Sequence, residues 1–367
     1  MLDFATVPAP RRPAAERAAL LSDPGFGRVF TDHMVTVKYA DGKGWYDARL
    51  EPFGPLNLSP ATAALHYGQE IFEGLKAYAQ PDGGVALFRP EANARRLNVT
   101  AERLAMPQLP EELFLKSLEV LVEADRDWVP AREGQSLYLR PFMIATDPFL
   151  GVRPSSEYLF AVIASPAGSY FAGGAKPVTM WVSQEYSRAA PGGTGAVKTA
   201  ANYAASLRAQ AQAQEAGCDQ VVFLDAVERR YIEESGSNNL FFVYDGELVT
   251  PPLNGSILPG VTRDSVLRLA AHLGLKVSER PYALDEWRDD ARSGRLKETF
   301  ASGTGVVISS IGTARTAADE FTVSGAVEGP VTAQIRDLLV GIQRGTVEDL
   351  FGWRRPIAPP APEIAAG

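Results

Sequence analysis

"PGGTGAVKTAANYAAS", residues 191–206, sets a lone lysine between a glycine-rich turn and an alanine-rich run. From Thr199 the residues are good helix formers as far as Gly217, so Lys198 stands at a turn-to-helix junction. A nucleotide-binding loop would need G-x-x-x-x-G-K-[ST], with glycine directly before the lysine. Val197 holds that place, and Ala189-Ala190-Pro191 is a poor strand to feed such a loop. A covalent role fits better. A lysine that forms a Schiff base must lose its proton, which calls for partial desolvation and nearby cations. Of the eight lysines in the chain, Lys198 alone has this setting.

Outward from this junction the chain alternates strands and helices. "VTMWVS" and "QVVFLDA" flank the alanine helix as strands, and "SNNLFFVYDGELVTPP" reads as a hairpin turning at Asp245-Gly246. "GVTRDSVLRLAAHLGL" predicts a helix with Val266, Leu269 and Leu273 on one stripe, and "ETFASGTGVVISSIG" a strand broken by a small-residue turn. Further upstream, Asp41-Gly42 and Asp82-Gly83 each sit between strand-like runs. "PEANARRLNVTAERLAMP" predicts a helix with Leu97, Ala101 and Leu104 on one face, ended by Pro107. A second helix lies in "EELFLKSLEVLVEADRDWVP", with Leu113, Leu118 and Leu121 apolar, and "QSLYLRPFMIAT" and "EYLFAVIASP" read as buried strands. "SPAGSYFAGGAKP" (165–177) breaks the pattern with small residues. The expected architecture is α/β (α+β), with mixed sheets in two lobes. A domain over 1–170, a loop over 171–181 and a larger domain over 182–367 are predicted.

Composition narrows the function. The 367 residues carry a net charge of −8, which argues against a nucleic-acid binder. The one cysteine, Cys218, forbids a disulfide within the chain and points to a reducing compartment. No apolar run approaches the roughly 20 residues of a membrane span. The start lacks the apolar core of a secretory signal, so a cytoplasmic location is expected. His33, His66 and His272 are the only histidines and have no ligand spacing, so no metal site is predicted. No G-x-S-x-G turn supports a serine hydrolase.

If Lys198 carries pyridoxal phosphate, three more things are needed. A carboxylate must face the ring nitrogen, the phosphate needs N–H groups, hydroxyls and an arginine, and something must bond the phenolic oxygen. "YIEESGSNN" offers Glu233 and Glu234, which alternation would send to opposite faces of a strand. "LPGVTRDSVL" leads a turn into a helix at Val261 and Thr262, and "SGTG" (302–305) supplies Thr304. Arg95 and Arg96 compete as the arginine, since neighbours on a helix do not share a face.

Taken together, "GGTGAVKTAANYAAS", "LHYGQEIFEGLKAY", "LFRPEANARRL", "SLYLRP", "LVTPPLNGSILPGVTRDS" and "SGTG" resemble the fold-type-IV branched-chain amino-acid aminotransferases, from about Phe26 to Trp353. The resemblance implies a two-lobed pyridoxal 5'-phosphate enzyme with the cofactor between the lobes. It implies reversible transfer of the amino group of leucine, isoleucine or valine to 2-oxoglutarate, giving glutamate. By it, Lys198 binds the cofactor and shuttles the proton, Tyr203 bonds the phenolic oxygen and Glu234 faces the ring nitrogen. Arg96, Val261, Thr262 and Thr304 would hold the phosphate. Phe26, Phe72, Tyr138 and Tyr170 would line the side-chain pocket, with Arg140 and Tyr67 meeting the distal carboxylate of glutamate. Ser237 and Gly305 would bind the α-carboxylate. Tyr67, Leu150 and Val152 would reach the partner's site in a homodimer.

Two departures stand out. Asn238 takes a place where long-form relatives usually carry Met, and Val306 and Ser309 occupy the positions of the redox Cys-x-x-Cys of some animal members. Rival readings are a D-amino-acid aminotransferase, an aminodeoxychorismate lyase, or a metabolite-binding relative without turnover. Taken singly, several residues also have plainer readings. Arg140 could sit in a surface ion pair, Tyr203, Phe72 and Tyr170 could be packing aromatics, and Cys218 a buried small hydrophobe.

Overall fold

The computed structural model describes residues 2–168, 176–325 and 327–358. The chain divides into two compact units, one taking in 1–170 and 341–367 and the other 171–340. In the first, β1 (Ala5–Thr6), α1 (Ala14–Ser22), β2 (His33–Ala40), β3 (Gly44–Pro52), α2 (Ala63–Tyr67) and β4 (Glu70–Phe72) come first. β5 (Leu75–Ala79), β6 (Val85–Phe88), α3 (Pro90–Arg103), α4 (Glu111–Ala124), β7 (Ser136–Ala145) and β8 (Glu157–Ala167) follow. The second holds β9 (Val178–Ser183), α5 (Ala200–Glu215), β10 (Gln220–Leu224), β11 (Ile232–Ser235), β12 (Asn239–Tyr244), β13 (Glu247–Thr250) and α6 (Val261–His272). It continues through β14 (Lys276–Glu279), α7 (Leu284–Ser293), β15 (Glu298–Gly303), β16 (Val307–Arg315) and β17 (Glu320–Thr322). α8 (Pro330–Arg344) and β18 (Arg354–Ile357) end the described chain.

In the first unit one sheet runs in the order β1-β3-β2-β8-β7-β5-β6-β18, with β4 added on β7. Residues alternate across β7. Leu137 and Leu139 go to a core with Leu97, Ala101, Leu113, Leu118 and Leu121 of the two helices, while Tyr138, Arg140 and Phe142 stay half-buried on the other face. The α3 helix stops at Arg103, with Leu104 as its C-cap, before Pro107 is reached. The sequence reading kept the whole C-terminus with the second domain. Instead β18 pairs antiparallel with β6, from Arg354↔Phe88 to Ile357↔Val85, and takes the end of the chain to the first unit. Pro356 disguised this strand, and its place at the sheet's edge is where proline is tolerated.

The second unit is built differently. Its sheet runs β11-β10-β9-β16-β15-β12-β13-β14, and β11 also pairs with β12 through Glu234↔Asn239. The pairings β11-β10-β9-β16-β15-β12-β11 therefore return on themselves, which removes the sheet edge at β11. The Asp245-Gly246 hairpin forms as predicted, with Gly246 at φ 72°. Inside, Phe242 stacks on Tyr282 at 3.7 Å between centroids and meets the edge of Trp287. α6 buries Val266 and Leu269 fully, and Leu273 is its half-buried C-cap.

Candidate active site

The turn before Lys198 is fixed by backbone contact. A Cβ on Gly195 would lie 2.2 Å from the Ser256 carbonyl oxygen and 2.5 Å from Ala189 Cβ. Only glycine fits there, which explains one glycine of the opening stretch. Asn202 ties the turn to the first turn of α5, donating through Nδ2 to the carbonyls of Thr194 (2.7 Å) and Val197 (2.9 Å) and accepting from Thr194 Oγ1. Lys198 is thus held at the helix start, with Thr199 as N-cap. Its Nζ donates to Tyr203 Oη at 2.7 Å and sits 5.1 Å from that ring's centroid. Tyr203 is engaged at the lysine rather than serving as helix packing alone.

Glu233 and Glu234 are both buried and have different partners. Glu233 accepts from Ser256 Oγ and from Asn254 Nδ2, and its Oε2 has no partner among the described residues. Glu234 Oε1 accepts the Leu258 N–H at 2.8 Å and closes an ion pair with Arg188. Burial pushes Glu234 up to about 7, while the charges of Arg188 and Lys198 and the Leu258 N–H pull it down. The charge of the lysine acts on the Glu234 carboxyl. Arg188 was missed by the sequence reading. Its Nη2 also donates to the carbonyls of Gly195 (2.9 Å) and Ser256 (2.5 Å), so the lysine's turn and the acid's counter-charge share one anchor. Nothing in "YSRAAPGG" marks Arg188 out from the other arginines.

The loop before α6 is bound to the same strands. Leu258 reaches Glu234 through its N–H and accepts from Asn239 Nδ2 at 3.0 Å. Gly260, the N-cap of α6, lies so close to Asn239 Oδ1 that a Cβ would stand 2.2 Å from it. Val261 and Thr262 open that helix, where the first N–H groups lie outside the intrahelical ladder and the dipole favours an anion. Asn239 pairs with Ser302, and the turn of Thr304 and Gly305 joins β15 to β16. Asn238 is buried against Gly303, whose Cβ would meet Asn238 Oδ1 at 2.1 Å, so the turn holding Ser237 is seated on the strand that leads to Thr304.

The first unit carries the other predicted residues. Arg96 is buried on α3, and its guanidinium clasps Glu73 with Nε–Oε1 and Nη2–Oε2 both at 2.8 Å. Arg95 turns outward, 3.7 Å from Glu111. Phe26 meets the edge of Tyr138 at 5.2 Å, and Tyr138 Oη lies where a Cβ of Gly74 would be. Arg140 donates to Tyr138 Oη at 3.0 Å and stands 4.6 Å over the Phe72 ring. It has no carboxylate at ion-pair distance among the described residues, and its buried Nε is unpartnered. A surface ion pair is therefore not its role. Tyr67 donates to the Leu150 carbonyl, and Tyr67, Leu150 and Val152 are 42%, 68% and 88% exposed. Tyr170 lies outside the described residues. Cys218 is buried, which raises its thiol above the usual range. Among the described residues no group of His, Cys, Asp and Glu could hold a metal, and no helix is long and apolar enough to cross a membrane.

An amine beside a phenol, a buried acid with its own arginine, and a helix start tied to the same strands are the groups that could hold an anionic cofactor. A profile of the Amino-transferase class IV family matches residues 70–312. The chain belongs to the class IV aminotransferase family. Within this family it is 56% identical to the probable branched-chain-amino-acid aminotransferase of Streptomyces coelicolor, over 94% of this chain and 95% of that one. It is 55% identical to the branched-chain-amino-acid aminotransferase of Mycolicibacterium smegmatis, over 96% and 97%. Among solved class IV structures it resembles the branched-chain amino acid aminotransferase of Escherichia coli, with a TM-score of 0.73 at 27% identity over 88% of this chain and 99% of that one. Another solved branched-chain amino acid aminotransferase, which it matches with a TM-score of 0.72 at 26% identity, holds pyridoxamine 5'-phosphate. The residues here suit such a group. The amine, the buried acid and the anion-favouring helix start are all present, and the Gly260 and Gly303 contacts leave no room for larger side chains beside them.

Proposed function

We propose that the chain is a branched-chain amino-acid aminotransferase, moving the amino group of leucine, isoleucine or valine to 2-oxoglutarate. The observation that carries this reading is Lys198 Nζ bonded to Tyr203 Oη at 2.7 Å, within the field of the buried, arginine-paired Glu234. The 55–56% identity to aminotransferases named for branched-chain substrates supports the substrate class. Pyridoxal 5'-phosphate, when bound, supplies the aldehyde carbon that receives the amino group and a ring that accepts the electron pair released at the substrate Cα.

The chain's own residues do the rest. Lys198 would hold the cofactor and would carry the proton released at the substrate Cα. Tyr203 stabilises the phenolic oxygen and keeps the lysine in place. Glu234 holds a proton at the ring nitrogen, and Arg188 fixes its carboxylate. Val261, Thr262, Thr304 and Arg96 bind the phosphate. Ser237 and Gly305 receive the α-carboxylate. Phe26, Phe72 and Tyr138 surround an aliphatic side chain. Arg140, with Tyr67, receives the distal carboxylate when glutamate is the substrate. The unpartnered Arg140 Nε supports that role.

In this reading the enzyme is a cytoplasmic homodimer. The exposed Tyr67, Leu150 and Val152 support the dimer, and the single free thiol suits a reducing compartment. The test is a coupled assay with leucine and 2-oxoglutarate, read as glutamate formed. Borohydride reduction of the yellow holoprotein followed by peptide mass analysis would fix a pyridoxyl group on the peptide of Lys198. Cofactor retained with no glutamate formed would overturn the substrate assignment, and an adduct elsewhere would overturn the mechanism.

A further inference from the structure

The residue in question lies on β4. That strand pairs antiparallel with β7, with Glu70 opposite Ile144, Ile71 opposite Met143 and Phe72 opposite Phe142. Directly opposed residues share a face. Ile71 and Met143 go to the fully buried core. Glu70 and Phe72 therefore share the other face with Phe142, and alternation along β7 puts Arg140 and Tyr138 there too. The arginine that reads the substrate's side chain thus has an acid on its own side of the sheet. The two are not in contact, because no carboxylate among the described residues lies within ion-pair distance of Arg140. Their charges interact all the same: burial raises the Glu70 carboxyl, and the positive charge of Arg140 pulls it down.

We propose that Glu70 is a specificity-determining residue, the standing counter-charge that sets how strongly Arg140 favours a carboxylate over an aliphatic side chain. The inference rests on the reading of Arg140 given above. One pocket has to accept both kinds of side chain. A half-buried guanidinium with an empty donor would be costly beside leucine and over-attractive to glutamate. A negative charge at a distance lowers both effects without occupying the donor. It partly neutralises Arg140, which eases an aliphatic chain beside the guanidinium and weakens the pull of the guanidinium on a distal carboxylate. Contact would do neither, since a closed Glu70–Arg140 pair would block the donor that glutamate needs.

The test is the ratio of the KM for glutamate to the KM for leucine in the holoenzyme. Glu70→Gln keeps the shape and removes the charge, so the ratio should fall about fivefold, the effect of one partly screened charge. Glu70→Asp keeps the charge and should stay near the wild-type ratio. Arg140→Met should raise the ratio, and in that background Glu70→Gln should have no further effect on it. If Arg140→Met raises the ratio while Glu70→Gln leaves it unmoved, the proposal is wrong and the role of Arg140 stands. If the Glu70→Gln effect persists without Arg140, Glu70 acts by another route and the proposal is likewise wrong. If Arg140→Met does not change the ratio, the reading of Arg140 fails and takes the proposal with it.

Discussion

Arg188 and Glu234 form an ion pair whose side chains are 5% and 4% exposed. A pair so removed from water is stable only when its remaining donors and acceptors are met. Arg188 meets this through the carbonyls of Gly195 and Ser256, and Glu234 through the Leu258 N–H. Removing one partner strands the other. Arg188→Met should cost roughly 3–5 kcal/mol of stability, measured by urea denaturation. It should also weaken cofactor retention, because Glu234 would then hold its proton more tightly without a cation beside it. A variant as stable as wild type would show that the pair contributes nothing.

The position of Glu234 also predicts a pH dependence of stability in the cofactor-free protein. An unfolded glutamate releases its proton near 4.5, whereas folded Glu234 does so at about 7. The folded state binds the proton more tightly, so its advantage is complete below about pH 4.5 and is lost as the pH rises through 7. The difference corresponds to roughly 3 kcal/mol. Glu234→Gln, which cannot lose a proton, should lack this decline. Denaturation midpoints of the two proteins should diverge between pH 4.5 and 7.5, with wild type falling relative to the variant. Parallel curves would mean that Arg188 keeps Glu234 ionised throughout.

Much of this was readable in the residues because it is local. Asp245-Gly246 dictates its own turn, Leu97 and Ala101 repeat at helical spacing, and Lys198 follows Gly195, which a close backbone approach explains. What could not be read depends on distant residues meeting. Nothing near Glu234 announces that β11 pairs with β12 while also pairing with β10. The α7 helix carries only a thin stripe, Leu284, Trp287 and Ala291, amid the charged residues of "LDEWRDDARS". Arg96 was separable from Arg95 in principle, but the choice needed Glu73, 23 residues away in sequence.

Tyr203→Phe tests the lysine's neighbour. The substitution keeps the ring beneath Nζ and removes only the hydroxyl at 2.7 Å. A hydrogen bond to a charged group contributes about 1.5–3 kcal/mol, so kcat should fall about 10- to 100-fold if the contact matters in turnover. The absorption band of the bound cofactor should shift as well, since Tyr203 is assigned to the phenolic oxygen. An unchanged kcat with an unchanged spectrum would return Tyr203 to the role of helix packing.

Gly195→Ala asks whether the turn can move. The added methyl would stand 2.2 Å from the Ser256 carbonyl oxygen and 2.5 Å from Ala189 Cβ, and the nearer of these is backbone. The segments around 195 and 256 must therefore separate. Both carbonyls that hold Arg188 shift with them, and the turn that carries Lys198 shifts too. Gly54→Ala is a fair control, because its Cβ would meet nothing closer than 3.9 Å. The control should keep wild-type stability within about 0.5 kcal/mol. Gly195→Ala should lose at least about 1–3 kcal/mol through overpacking, and kcat should drop more steeply than stability, because the displaced atoms are those that place the amine. If Gly195→Ala unfolds at the same denaturant concentration as Gly54→Ala and turns over as fast, the turn does not position Lys198.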